Sequence, residues 1–558
     1  MNPYRFCLSL LLILCPMTEL YAQFPVSGQF GMSVSYNPVR TAVHVGFEES
    51  NLPIVVIETE GPVTSDSKSD AVMKIIFNSN GNNRLSDSPS EYNGRIGIRL
   101  RGNSSLSFEQ KSFTIETRNE DGSNLNVPLL GMPAEHDWAL IAPYNDISMI
   151  RNVIAYRMWE SMGYWGPRTQ MVEVVMNGEY IGVYMFAETI KRDKNRLDIA
   201  SLKSGDNDGR ELTGGYILRI DAYDSDDVTF VSEIPGILNA GSMQGALGFG
   251  GMAMPGFGGG ADRMNRVVWT IRTPDRKSIT DSQKRYIENY VRETERVVMG
   301  DDFCDKERGY AKFIDVTSFI DYLIHTEVSL NADGLKRSAY FYKTKQNEDG
   351  SGGKLHAGPV WDYNLAYGNC NFCNADDITA WVYLGGETNP TPAIWKRLME
   401  DPSFVTKLKK RYSELRLGIL SKKHIDSVID SYAEMLSKVQ ERQYRKYPEL
   451  LVADEGGLRH EPSRSAGDGF DGNLFGSVPG GFGFGGMPGM YGFGRFPTPP
   501  GFGMMQGGMG FGGFQGNVQA DAISWFAAYR VSSYDEEIAI LKDWFASRLE
   551  FLDSHWLD

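Results

Sequence analysis

The feature that most limits what this chain can fold into is a change of hydrophobic period along its length. From about residue 24 to 120 the apolar residues fall in short β-favouring runs, "LPIVVIET", "MKIIFN", "GRIGIRLRG" and "KSFTIET", parted by Gly, Asn, Ser and Asp clusters. Near residue 146 the spacing becomes helical. "DISMIRNVIAYRMWESMGY" sets Ile150, Val153, Ile154, Met158 and Met162 on one face, with Gly163 as a stop. "MVEVVMNGEYIGVYMFAE" then reads as a hairpin that turns at "NGE". From about residue 280 the chain is mostly helical. "TDSQ" is a capping box opening a helix through Val298, and Asp315 caps "VTSFIDYLIHTEVSL". A second hairpin, "SAYFYKTK" with "KLHAGPVWD", interrupts, and amphipathic helices follow around 403–416, 422–444 and 535–552. Strands first and helices later define an α+β chain.

The N-terminus, "MNPYRFCLSLLLILCPMTELYAQ", has one early positive charge, an apolar stretch from Phe6 to Leu14 and a polar break before Ala22. That is a signal-peptide pattern over 1–22, too short to span a bilayer. Leu14 is bulky where a lipoprotein cleavage site wants a small residue, which favours ordinary secretion over a lipid anchor. The expected location is therefore secreted, periplasmic or at the cell surface, and no later segment reads as transmembrane. The net charge of −15 argues against a nucleic-acid partner. Cys7 and Cys15 leave with the signal. "CNFC", holding Cys370 and Cys373, is a loop staple, a short disulfide or a pair of free thiols, and a single CxxC is weak evidence for zinc.

Two segments, 245–266 and 467–516, are dominated by Gly, Phe and Met and carry no period that builds a core. They divide the chain into a strand-rich region at 23–89 and a main domain at 90–460 with an insertion near 240–262. A flexible segment at 461–518 and a C-terminal helix at 519–558 follow. HExxH, GxSxG and GxxxxGKS are all absent, which removes the motif-based cases for a zincin, a nucleophile-elbow hydrolase and a P-loop NTPase.

What remains is a spaced acidic pair. Asp333 follows a helix in "LNADGLKRSAYFYKTK", and Asp362 follows a strand in "GPVWDYNLAYG". A carboxylate beside an apolar run is costly unless something pairs with it. A hairpin between the two would bring them to one rim, where one carboxylate orients a hydroxyl and the other holds magnesium on phosphates. Upstream, "RLRGNSSLSFEQK" offers a small-residue turn with Arg99, Arg101 and Lys111 beside it. Taken singly, each part reads better as an ordinary turn, strand face or structural carboxylate. Their order is that of a protein-kinase-like fold.

With "GIRLRGNSSLSFEQKSFTIE", "DWALIAPYNDISMIRNVIAYRMWESMGY", "VEVVMNGEYIGVYMFAETIKRDKNRLDI", "GGYILRID" and "LNADGLKRSAYFYK…GPVWDYNLAYG" in order over roughly 90–370, the sequence resembles the CotH family of spore-coat-type secreted kinases. The resemblance implies an atypical protein-kinase-like fold with a strand-rich N-terminal lobe and a helical C-terminal lobe. It further implies phosphoryl transfer from ATP, with Mg2+ or Mn2+, to Ser or Thr of a protein substrate. In that frame Asp333 is the catalytic Asp and Asp362 the metal-binding Asp, with Asn364 sharing the metal. Lys111 contacts phosphate with Arg101 helping, and Glu188 lies near the adenine-side hinge. Ser338 and Ala339 stand where the family often has Asn or a similar polar residue. The alternative reading is a catalytically weak kinase-like scaffold in a cell-surface or coat assembly.

Overall fold

The computed structural model describes residues 34–38, 43–78, 81–224, 226–237, 266–370, 373–385, 391–451 and 531–557. The expected signal peptide, the 240–262 insertion and the 461–518 segment lie outside them.

The early β runs become strands β1 (Ile54–Thr59), β2 (Ser69–Ile76), β3 (Tyr92–Arg101), β4 (Ser112–Arg118) and β5 (Asp137–Ile141), each antiparallel to the one before it. Helix α1 (Arg151–Ser161) follows, then the hairpin β6 (Thr169–Met176) and β7 (Glu179–Glu188). Its turn holds Asn177 and Gly178 at φ 51° and 76°, the left-handed pair that an Asn-Gly hairpin turn requires. The hairpin closes the sheet: β7 pairs with β5, and β6 lies parallel to β1. The result is a closed seven-stranded barrel.

Alternation fills its interior with Val55, Ile57, Met73, Ile75, Ile96, Ile98, Phe113, Ile115, Trp138, Leu140, Val172, Val174 and Phe186. Each such burial is worth about 1.5–3 kcal/mol. β7 departs from alternation because it is covered on both faces, as its near-continuous apolar run "YIGVYMFA" requires. Its outer side chains Val183, Met185 and Ala187 join the core of the second half.

That second half contains helices, as expected, and also a six-stranded sheet. Its strands are β8 (Tyr216–Ile220), β9 (Val228–Ile237), β10 (Arg266–Thr273), β11 (Ala339–Lys343), β12 (Leu355–Ala357) and β13 (Thr391–Pro392), in the order β12-β11-β8-β10-β9-β13. Around it lie α2 (Asp281–Met299), α3 (Val316–Ser329), α4 (Ala393–Leu398), α5 (Pro402–Arg416), α6 (Lys422–Leu436), α7 (Gln440–Lys446) and α8 (Tyr534–Trp556). The Thr280–Gln283 capping box and the Asp315 cap are both formed. The helix expected at 422–444 is two helices, α6 and α7. No helix among the described residues is long and apolar enough to cross a membrane.

Candidate active site

The register of the second sheet builds the site. β8 and β11 run antiparallel with Ile220 opposite Ala339, so the next residues out, Asp221 and Ser338, reach the same edge. Asp333 stands on the turn between α3 and β11. Leu330 caps α3 in the left-handed conformation (φ 44°), and buried Asn331 accepts the Asp333 amide at 3.2 Å. The Asp333 carbonyl accepts the amides of Lys336 and Arg337 at 2.9 and 2.8 Å, and Tyr322 donates to the Gly334 carbonyl at 2.7 Å. The turn is therefore rigidly held.

Asp362 follows β12 and a cis Gly358–Pro359 peptide, and it is itself left-handed at φ 65°. That conformation is uncommon for a non-glycine residue and must be held by its surroundings. Here α1 holds it. The Asp362 amide donates to the Tyr156 hydroxyl at 3.3 Å and the Tyr363 amide to the Asn152 side chain at 2.6 Å. Ser338 Oγ donates to Asp362 Oδ2 at 3.5 Å. Arg101, ending β3, places its guanidinium over the Trp361 ring (5.1 Å), and Trp361 stacks on Tyr156 at 5.9 Å. The barrel thus contributes a cation to the rim of the sheet.

Crowding by protein, then the charges of Asp221 and Asp333, push the Asp362 carboxyl up to about 6, against the pull of Arg101 and Ser338. The side chain still meets solvent on one side. Asp333 is raised by burial, with Lys336 and Arg337 opposing and Asp221 adding to the rise. Among the described residues no salt bridge reaches Asp333 or Asp362, and Asp333 Oδ1 is shielded from water with no hydrogen-bond partner. A shielded carboxylate oxygen without a partner, on a group that feels the charge of Asp221 and is felt by Asp362, is the kind of oxygen that a divalent cation such as Mg2+ or Mn2+ would satisfy.

Asp221 was not singled out by sequence reasoning. An acid at the end of a strand reads as a turn residue, and the signal was its place one residue past "YILRI". Its carboxylate meets Arg219 at 3.2 Å. The other expected residues sit as follows. Lys111 donates to the carbonyls of Leu106 (2.8 Å) and Phe108, so its ammonium pins the 104–108 turn; burial lowers its pKa. Glu188 is fully buried and holds Arg168 in a two-pronged pair at 2.8 and 2.7 Å. The Asn364 amide donates to the Asn145 side chain at 2.9 Å. The structure sets Arg101 and Asp333 within reach of the Asp362 charge, and among the described residues no hydrogen bond or ion pair joins Lys111, Glu188 or Asn364 to them.

Another ligand-type group, Glu135, His136 and Asp137, lies at the barrel end. The Lys191 ammonium is already 3.1, 3.1 and 2.8 Å from the three, supplying the positive charge there.

No curated protein matches the chain. A family model described as CotH kinase protein matches residues 98–468, about two thirds of the chain, and takes in Arg101, Asp221, Asp333 and Asp362. On that match the chain belongs to the CotH kinase protein family.

Proposed function

We propose that this protein is a secreted protein kinase that transfers the γ-phosphoryl group of ATP to Ser or Thr of a protein substrate. The observation that carries the reading is that Asp333 and Asp362, on two separately anchored loops, lie near enough for the Asp333 charge to act on Asp362, with Asp221 and Arg101 also within charge reach of Asp362. Asp362 and Asp221 would hold the metal. Magnesium or manganese, when bound, offsets the charge of the triphosphate. Asp333 orients the acceptor hydroxyl and takes its proton, a role its raised pKa suits. Arg101 offers a guanidinium to phosphate oxygens. The signal-peptide pattern supports secretion, and ATP there requires a local source.

A second reading is a nucleotide-binding scaffold. The engagement of Lys111 with two backbone carbonyls favours it, since a phosphate-contacting lysine needs its ammonium available. One experiment decides. Purified protein is incubated with γ-labelled ATP and Mn2+ or Mg2+, beside Asp333→Asn and Asp362→Asn. A kinase labels itself or an added acceptor, and both variants lose the label. Binding of nucleotide by the wild type without transfer would establish the scaffold.

A further inference from the structure

Two carboxylate loops need bracing from behind, and one helix reaches both. α8 presents Glu537 and Arg548, each essentially inaccessible to solvent. Glu537 Oε1 accepts from Arg151 Nη1 at 2.6 Å, and Arg151 also pairs with Asp146 at 2.6 Å. Arg151 Nε then donates to the carbonyl of Ala366, four residues past Asp362, at 3.1 Å. Arg151 is the first residue of α1, whose next residue, Asn152, holds the Tyr363 amide. Further along α8, Trp544 and Phe545 pack on Tyr367 with ring centroids 5.7 and 4.6 Å away. Gly368 lies so close that a Cβ there would stand 2.5 Å from the Trp544 ring.

Arg548 does the same for the other loop. It donates to the Glu327 carboxylate at 3.1 Å and to the Glu327 carbonyl at 2.9 Å. That carbonyl also accepts the amide of Leu330, the left-handed cap that launches the Asp333 turn. Glu327 accepts the amides of Val382 and Tyr383 as well, at 3.1 and 2.9 Å. A helix that merely covered a core would need none of these polar contacts, because buried charges are costly and apolar residues pack more cheaply.

We propose that α8 is a positioning element of the active site: Glu537 sets the Asp362 loop through Arg151, and Arg548 sets the Asp333 loop through Glu327. α8 lies beyond the 98–468 span matched by the family model. The inference deepens the kinase reading and rests on it for its catalytic meaning.

The first test needs neither a variant nor activity. Native-state hydrogen exchange of the full chain in low urea follows the amides of Tyr363, Lys336 and α8. The expected result is that Tyr363 and Lys336 lose protection in the same opening as α8. Protection of both through α8 opening would overturn the proposal. The second test compares Glu537→Gln with Leu552→Ala, which thins the apolar face of α8. Glu537→Gln should lower kcat per folded molecule by roughly ten- to a hundredfold with KM for ATP nearly unchanged, and Glu537→Asp should recover part of it. Leu552→Ala should lower Tm without that kcat loss. Equal losses in both variants would mean that α8 is only a cover. A wild type that transfers no phosphate sinks the kinase reading, while the exchange result still judges α8.

Discussion

Glu173 in the barrel is fully buried and Asp362 at the rim is exposed to solvent, and the fold treats the two acids in opposite ways. Glu173 is fully buried and fully answered: Arg442 grips it with two donors at 2.9 and 2.7 Å, and the Tyr180 hydroxyl donates at 2.7 Å. Asp362 has Asp221, Asp333 and Arg101 as its charged neighbours and makes no salt bridge among the described residues. A carboxylate whose two oxygens are both gripped by one arginine is part of the framework. Asp333 and Asp362, which feel neighbouring acids and make no salt bridge among the described residues, have room for a counter-charge, on the kinase reading a metal ion. On the kinase reading, this difference separates a structural acid from a functional one.

The comparison breaks most visibly on the framework side. Glu173→Ala leaves Arg442 unanswered against the barrel and should cost about 3–5 kcal/mol in urea denaturation. A loss under about 1 kcal/mol would remove the distinction. Asp362→Asn should do the reverse. Phosphoryl transfer should fall roughly 10²- to 10³-fold while metal-free stability holds or rises, because a like-charge contact is relieved.

A smaller effect tests the electrostatics directly. The Asp362 pKa is raised to about 6 from its usual 3.8, so folding favours its protonated form. Its contribution to stability is present below the usual value and is lost as pH rises through about 6. A bound cation reverses the preference, so Mn2+ affinity should climb as pH rises through about 6 and flatten above it. Buried Glu327 is also pushed up by burial against the pull of Arg548, so the readout is the wild type minus Asp362→Asn. A flat difference would show that Asp362 carries no such shift. The smallest effect belongs to the exposed pair Lys422–Asp426, one helical turn apart. Lys422→Ala should change stability by no more than about 0.5 kcal/mol, marking the level at which a pair is ornamental.

Much of the local structure was legible in the chain. Alternation gave the strands, Asn177-Gly178 the hairpin, and Thr280 and Asp315 the helix starts, because each depends on a few neighbouring residues. Barrel closure was not legible. It depends on Glu173 lying beside Ile54, and no local pattern encodes that pairing. Asp333 and Asp362 stand out in the sequence only through the order of motifs. Asp221 escaped because its meaning comes from the β8–β11 register. Lys111 carried the opposite problem: its charge was visible, while the carbonyls of Leu106 and Phe108 that occupy it come from the fold of a turn.

The closure of the barrel also orders events in time. Strands β1 to β5 form a meander in which each pairs with its predecessor, so local contacts can assemble it early. The β6–β7 hairpin is equally local within itself. What is slow is its insertion between β5 and β1, which must wait for α1 and pay the entropy of a long loop before any cross-strand bond rewards it. α1, whose residues hold the Asp362 loop, is the segment that leads from β5 into this hairpin, so the candidate site should become competent at the rate at which this one hairpin docks.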